Sequence, residues 1–215
     1  MDTLLAELLA QARATSAWEL VAVFCAIAYL QLALLEKRAC WYFALISTAI
    51  YTVLFWNVSL LMESGLQVYY LLMAVYGWWQ WRSPEQTSDA PTAGRQIHTW
   101  RWQQHAAAIG LVLLLTALSG TLLTQATDAA WPYLDSFTTW GAVVTTFMVA
   151  RKVLENWLYW FVIDGLSIYL YLDRGLLFTA GLFVVYEVMV VIGYWRWHQA
   201  WQADQRTMQH PLTPR

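Results

Sequence analysis

The residues in this chain best placed to do chemistry lie in one stretch, Arg151–Tyr171, RKVLENWLYWFVIDGLSIYLY. Two cations open it and the rest is apolar enough for a membrane span, yet Asn156, Trp160, Asp164, Ser167 and Tyr171 recur every three or four positions. At 3.6 residues per turn these five side chains share one face of a helix. An ionised Asp at mid-membrane depth costs at least about 2.5–3.5 kcal/mol, so this face is expected to look into a protein interior or a wet cavity, not into lipid. An indole beside a carboxylate suits a flat, cationic or electron-poor ring, because stacking and cation–π attraction hold the ring and the acid offsets its charge. Plainer roles compete: Trp157 as an interfacial anchor, and Asp164 as a hydrogen-bond partner for a neighbouring helix.

A second constellation lies in GLQVYYLLMAVYGWWQW, where Gln67, Tyr70, Ala74 and Gly77 fall on one helical face. Gln67 offers two donors and an acceptor, suited to an amide or a hydroxyl-bearing ligand, or to a bond between helices. Glu187, inside VVYEVMVV, serves either as a second counter-ion or as a tie within the helix bundle. Gly77 and Gly193 read as close-packing sites, and the Trp79/Trp81 and Trp195/Trp197 pairs as an aromatic belt at one membrane face.

The elements that must position these residues are membrane helices. Hydrophobic residues make up 60% of the 215 and charged residues 12%, too little polar surface to cover a soluble globule. The net charge of −2 says nothing about partners, but no basic tract of the kind that binds nucleic acid appears, and no nucleic-acid partner is expected. Cys25 and Cys40 read as small buried hydrophobes, the four His lack ligand spacing, and no metal or cofactor is implied. Nucleotide-binding, metalloprotease and nucleophile-elbow motifs are missing, and one carboxylate without an adjacent His, Ser or second acid argues against an enzyme.

Seven apolar stretches are long enough to span a bilayer: about 18–35, 40–56, 61–81, 105–124, 134–150, 156–172 and 176–195. Residues 1–17 are expected to be a surface helix (Asp2–Arg13) or a tail, 83–104 a cytoplasmic loop, and 199–215 a cytoplasmic tail. No signal peptide is expected. Ten of the twelve Lys and Arg fall on one side of this topology, which puts the N-terminus outside and the C-terminus in the cytoplasm.

The chain also repeats itself at an offset of 116. Trp41 matches Trp157, and between Leu60 and Trp81 eleven of 22 positions are identical to the residue 116 later, Gly77/Gly193 and Trp81/Trp197 among them. Two three-helix repeats, 18–82 and 134–198, are therefore expected, with a linker helix 105–124 that restores their common orientation: an all-α, 3+1+3 parallel duplication. Thr48 and Tyr51 occupy the places that Asp164 and Ser167 take in the second repeat, as an asymmetric pocket for one ligand requires.

With the NWxxW motif (Asn156, Trp157, Trp160) beside YGWxxW (Tyr76, Gly77, Trp78, Trp81), this pattern resembles the PnuC family of bacterial vitamin transporters over about residues 18–82 and 135–198. The resemblance implies a SWEET-like fold, a homotrimer, and facilitated diffusion of nicotinamide riboside, thiamine or riboflavin, with net uptake driven by a cytosolic kinase. It also implies that Gln67 and Trp160 contact the ligand. Position 164 departs from the amide expected of nicotinamide riboside carriers. The expected site is Trp160, Asp164, Gln67, Asn156, Tyr70, Ser167 and Glu187. The expected function is inner-membrane facilitation of nicotinamide riboside, with thiamine transport or a non-translocating vitamin sensor as alternatives.

Overall fold

The computed structural model describes residues 17–57, 61–82, 96–126, 131–173, 175 and 177–209. Asp2–Arg13, read as a surface helix, lies outside them. Seven helices carry the described chain: α1 (Ala17–Leu34), α2 (Cys40–Asn57), α3 (Leu61–Gln80), α4 (Trp102–Ala126), α5 (Pro132–Ala150), α6 (Asn156–Asp173) and α7 (Leu177–Gln209). Pro132 opens α5 where a missing N–H costs nothing, and Asp135 complements the positive end of that helix. At 33 residues α7 is roughly 50 Å long, well beyond the ~30 Å of a hydrocarbon core. Its last turns therefore leave the membrane as helix, where the sequence reading had a tail from 199.

α1, α2 and α3 pack as one unit, and α5, α6 and α7 as its copy. The two units meet through α1 against α7 and α3 against α5, contacts that the internal symmetry exchanges; α4 packs along α5 and touches α6 through His105 on Tyr159. The 3+1+3 duplication is thus present in the packing. Trp140 Nε1 donates to Ser119 Oγ at 3.1 Å, and the Tyr133 ring sits where a side chain on Gly120 would be, fixing α4 to α5. Among the described residues, α1, α4 and the stretch Thr179–Thr207 combine full span length with high hydropathy. The polar residues of the other spans turn inward, so lipid does not meet them: on α6, Leu158, Phe161, Val162 and Tyr169 are exposed while Asp164 and Ser167 are buried.

The duplication extends to backbone detail. α1 and α5 end in the same turn, with Lys37 N donating to Leu32 O at 2.8 Å and Val153 N to Met148 O at 3.0 Å. The left-handed residue in each turn is Glu36 or Lys152, both at φ 54° and 116 apart. Neither is glycine. Their side chains meet across the symmetry axis, Lys152 Nζ 2.8 Å from Glu36 Oε2, and the ammonium also lies 4.9 Å from the Trp81 ring centroid.

Beneath this pair lies a chain of four tryptophans. Trp41 meets Trp81 edge-on at 5.4 Å, Trp81 meets Trp197 at 6.0 Å, and Trp197 meets Trp157 edge-on at 5.3 Å. Gly77 and Gly193 make room for it: a Cβ on Gly193 would lie 2.6 Å from the Trp157 ring, and one on Gly77 would overlap Trp41. Trp81 Nε1 donates to Ala150 O and Trp197 Nε1 to Ala33 O, both at 3.1 Å and each into the other repeat. The belt expected from sequence is therefore only half right. Trp79 and Trp195 face outward, but Trp81 (5% exposed) and Trp197 (0%) are core, because each indole N–H finds a carbonyl across the interface. Trp157, 1% exposed, is likewise a wedge between helices and not an interfacial anchor.

Candidate functional site

Between the two repeats lies a cavity of about 410 Å³. Six helices line it and α4 contributes nothing, so the site belongs to the duplicated core. Along α6 the lining residues run from Trp157 through Trp160, Asp164 and Ser167 to Tyr171, the face that helical spacing marks out. Fourteen residues at 1.5 Å each give a depth of roughly 21 Å. Trp41 and Trp157 close the end nearest the basic loops, which we call the basic end, over the Trp81–Trp197 contact.

Of the seven residues expected at the site, five line one cavity: Trp160, Asp164, Ser167, Gln67 and Tyr70. The other two do not. Asn156 is fully buried at the start of α6, where Nδ2 donates to Val153 O at 2.6 Å; it shapes the turn that aims Trp157. Glu187 lies beside the cavity lining on α7, its Oε1 3.7 Å from where a side chain on Gly165 would begin. Spacing could not separate it from Tyr186 and Val190, which do face inward, since all sit on one broad stripe of α7.

The cavity has a definite chemical character. Asp164 is its one ionisable acid, and no Lys, Arg or His lines it among the described residues. The Asp164 carboxylate makes no hydrogen bond or ion pair there, and the Gln67 amide is equally free. Five hydroxyls in the lining have spent their protons on main-chain carbonyls: Ser47 to Ala22 O (2.9 Å), Thr48 to Ala44 O (2.8 Å), Thr138 to Asp135 O (3.0 Å), Thr146 to Ala142 O (2.7 Å) and Ser167 to Ile163 O (2.8 Å). What they present to a ligand is lone pairs. Sequence reasoning placed Tyr171 and Tyr51 towards the cavity but did not foresee Tyr186 and Phe183 as lining residues, although Tyr70 and Tyr186 are repeat mates at the offset of 116.

Two three-helix repeats around one carboxylate-bearing cavity have the build of a membrane carrier for a small solute. The profile of a family described as "Nicotinamide mononucleotide transporter" matches residues 16–199, and the chain belongs to that family, the PnuC-type transporters. Among its curated relatives are the nicotinamide riboside transporter PnuC of Escherichia coli K12, 22% identical with 89% of this chain and 90% of that one covered, and the riboflavin/roseoflavin transporter RibM of Streptomyces davaonensis, 25% identical over 67% of each. A crystal structure of the vitamin B3 transporter PnuC superposes with a TM-score of 0.69 at 21% identity, covering 93% of this chain and 90% of that one. The chain is a multi-pass membrane transporter and not an enzyme.

Proposed function

We propose that this protein is an inner-membrane facilitator of nicotinamide riboside. The observation that carries the reading is the free Asp164 carboxylate in a cavity that also holds Trp160 and the unpaired Gln67 amide. Trp160 stacks on the pyridinium ring, Asp164 offsets its charge, and Gln67 bonds the carboxamide or the ribose hydroxyls. Tyr70 and Ser167 complete the surroundings. A phosphorylated ligand would bring an anion to a lining with a carboxylate and no cation, so the nucleoside is favoured over its mononucleotide. Thiamine is the second reading, because its thiazolium is also an aromatic cation and Asp164 would serve it equally well.

Translocation proceeds by alternating access between the repeats 18–82 and 134–198, with the basic end cytoplasmic under the positive-inside rule. The four tryptophans and the Glu36–Lys152 pair hold that end shut when the cavity faces outward. The protein works as a homotrimer, and a cytosolic kinase that phosphorylates the ligand makes uptake directional.

The test is thermal shift or calorimetry of the purified protein against nicotinamide riboside, its mononucleotide, thiamine and riboflavin, followed by flux into liposomes. A ligand at 100-fold above its dissociation constant adds roughly 2.7 kcal/mol. Stabilisation and flux with nicotinamide riboside are expected. Thiamine alone would transfer the assignment to the second reading, binding without flux would make the protein a sensor, and silence with all four would remove the vitamin reading.

A further inference from the structure

The cavity wall carries more than the charge of Asp164. Nine of its lining side chains are aromatic, and two of them, Tyr70 on α3 and Tyr186 on α7, are the same position of the two repeats. Both line the same cavity as the Asp164 carboxylate, and Tyr171 lines it with them. On the α6 side, Trp160 stands one turn before Asp164 on the same face. The lining hydroxyls of Ser47, Thr48, Thr146 and Ser167 present only lone pairs, as their protons are committed to the backbone. π-Faces, hydroxyl lone pairs and one carboxylate all favour positive charge, and no Lys, Arg or His lines the cavity among the described residues.

We propose that Tyr70 and Tyr186 form, with Trp160, an aromatic cage around Asp164 that selects a permanently charged ring over an uncharged ring of the same shape. This rests on the reading of the cavity as a vitamin site, and it adds two residues and a selection rule to it. The duplication explains the construction. One tyrosine position, copied by the repeat, supplies two rings to the lining, one from α3 and one from α7, while the carboxylate is present in one repeat alone because Thr48 holds the equivalent place. A ligand is therefore caged symmetrically and oriented asymmetrically. A neutral ring loses the attraction of the faces and leaves the acid without a partner.

The experiment compares matched pairs by calorimetry on the purified full-length protein. One pair is nicotinamide riboside and its 1,4-dihydro form, which keeps the ribose and carboxamide and loses the ring charge. The other is thiamine and its thiophene isostere, again uncharged. In whichever pair binds, the cation is expected to bind at least tenfold more tightly. Asp164→Asn and Tyr186→Leu should bring that ratio towards one, while Tyr186→Phe, which keeps the π-face, should preserve it. A neutral member that binds as well as its cation would overturn the cage and leave the vitamin assignment standing. A ratio that survives both Asp164→Asn and Tyr186→Leu would overturn it as well. Failure of all four compounds to bind would overturn the cage and the vitamin reading together.

Discussion

Gly193→Ala tests the packing that shapes the cavity floor. In an open helical position a glycine-to-alanine change gains about 1 kcal/mol from propensity. At Gly193 the new methyl would lie 2.6–2.8 Å from three carbons of the Trp157 ring. That ring is 1% exposed and held edge-on by Trp197 at 5.3 Å, so moving it breaks that packing. Overpacking of this kind costs about 1–3 kcal/mol, which outweighs the propensity gain or cancels it. Gly110 on α4 is the internal control, because nothing lies within 4 Å of its would-be Cβ and the full gain should appear. The two variants should thus differ by about 1–3 kcal/mol, or roughly 2–12 °C in melting temperature for a chain of this size. The assay is thermal unfolding in detergent with and without ligand, since Trp157 also lines the cavity. Trp157→Phe in the Gly193→Ala background should recover part of the loss by removing the overlapping ring. If Gly193→Ala melts as high as Gly110→Ala, Trp157 is not wedged there and the account of the floor is wrong.

Further outcomes follow from the same geometry. Gly77→Ala, where the clash with Trp41 is closer still, should destabilise at least as much as its repeat mate in the same melting assay. Asp164→Asn should weaken binding of the cationic vitamin about tenfold, equivalent to about 1.4 kcal/mol, in calorimetry; unchanged affinity would remove the charge argument. Trp160→Ala should lose the stacking contribution of about 0.5–2 kcal/mol, read by calorimetry as a higher dissociation constant. Reversing one partner of the Glu36–Lys152 pair places like charges side by side, and reversing both restores attraction. A double-mutant cycle on stability should return a coupling of about 0.2–1 kcal/mol for this partly exposed pair, and a value of zero would deny it any role in closing the basic end.

Much of the architecture was legible before any coordinates. The apolar stretches fall within a few residues of the helices at most ends, because burial in lipid depends on local composition and length. The duplication was legible because a copied helix keeps its Gly and Trp register. The helical face from Trp160 to Tyr171 was legible because 3.6-residue periodicity is a property of one helix alone. Misreadings arose wherever the answer depended on a second helix. Trp81 and Trp197 looked like belt residues, since an aromatic near a span end carries the same local signal whether it meets a headgroup or a carbonyl of the other repeat. Asn156 shares the α6 face with Asp164, but it is spent on the turn before the helix.

The sequence alone thus determined a membrane carrier of two fused copies with one acid at its centre, because hydropathy, periodicity and repeats are written along the chain. Only the tertiary structure decided which aromatics surround that acid and which ones close the floor. It also decided that Glu36 and Lys152, 116 residues apart, stand on one axis. These are relations between helices, set by how close Gly77 and Gly193 let their neighbours come.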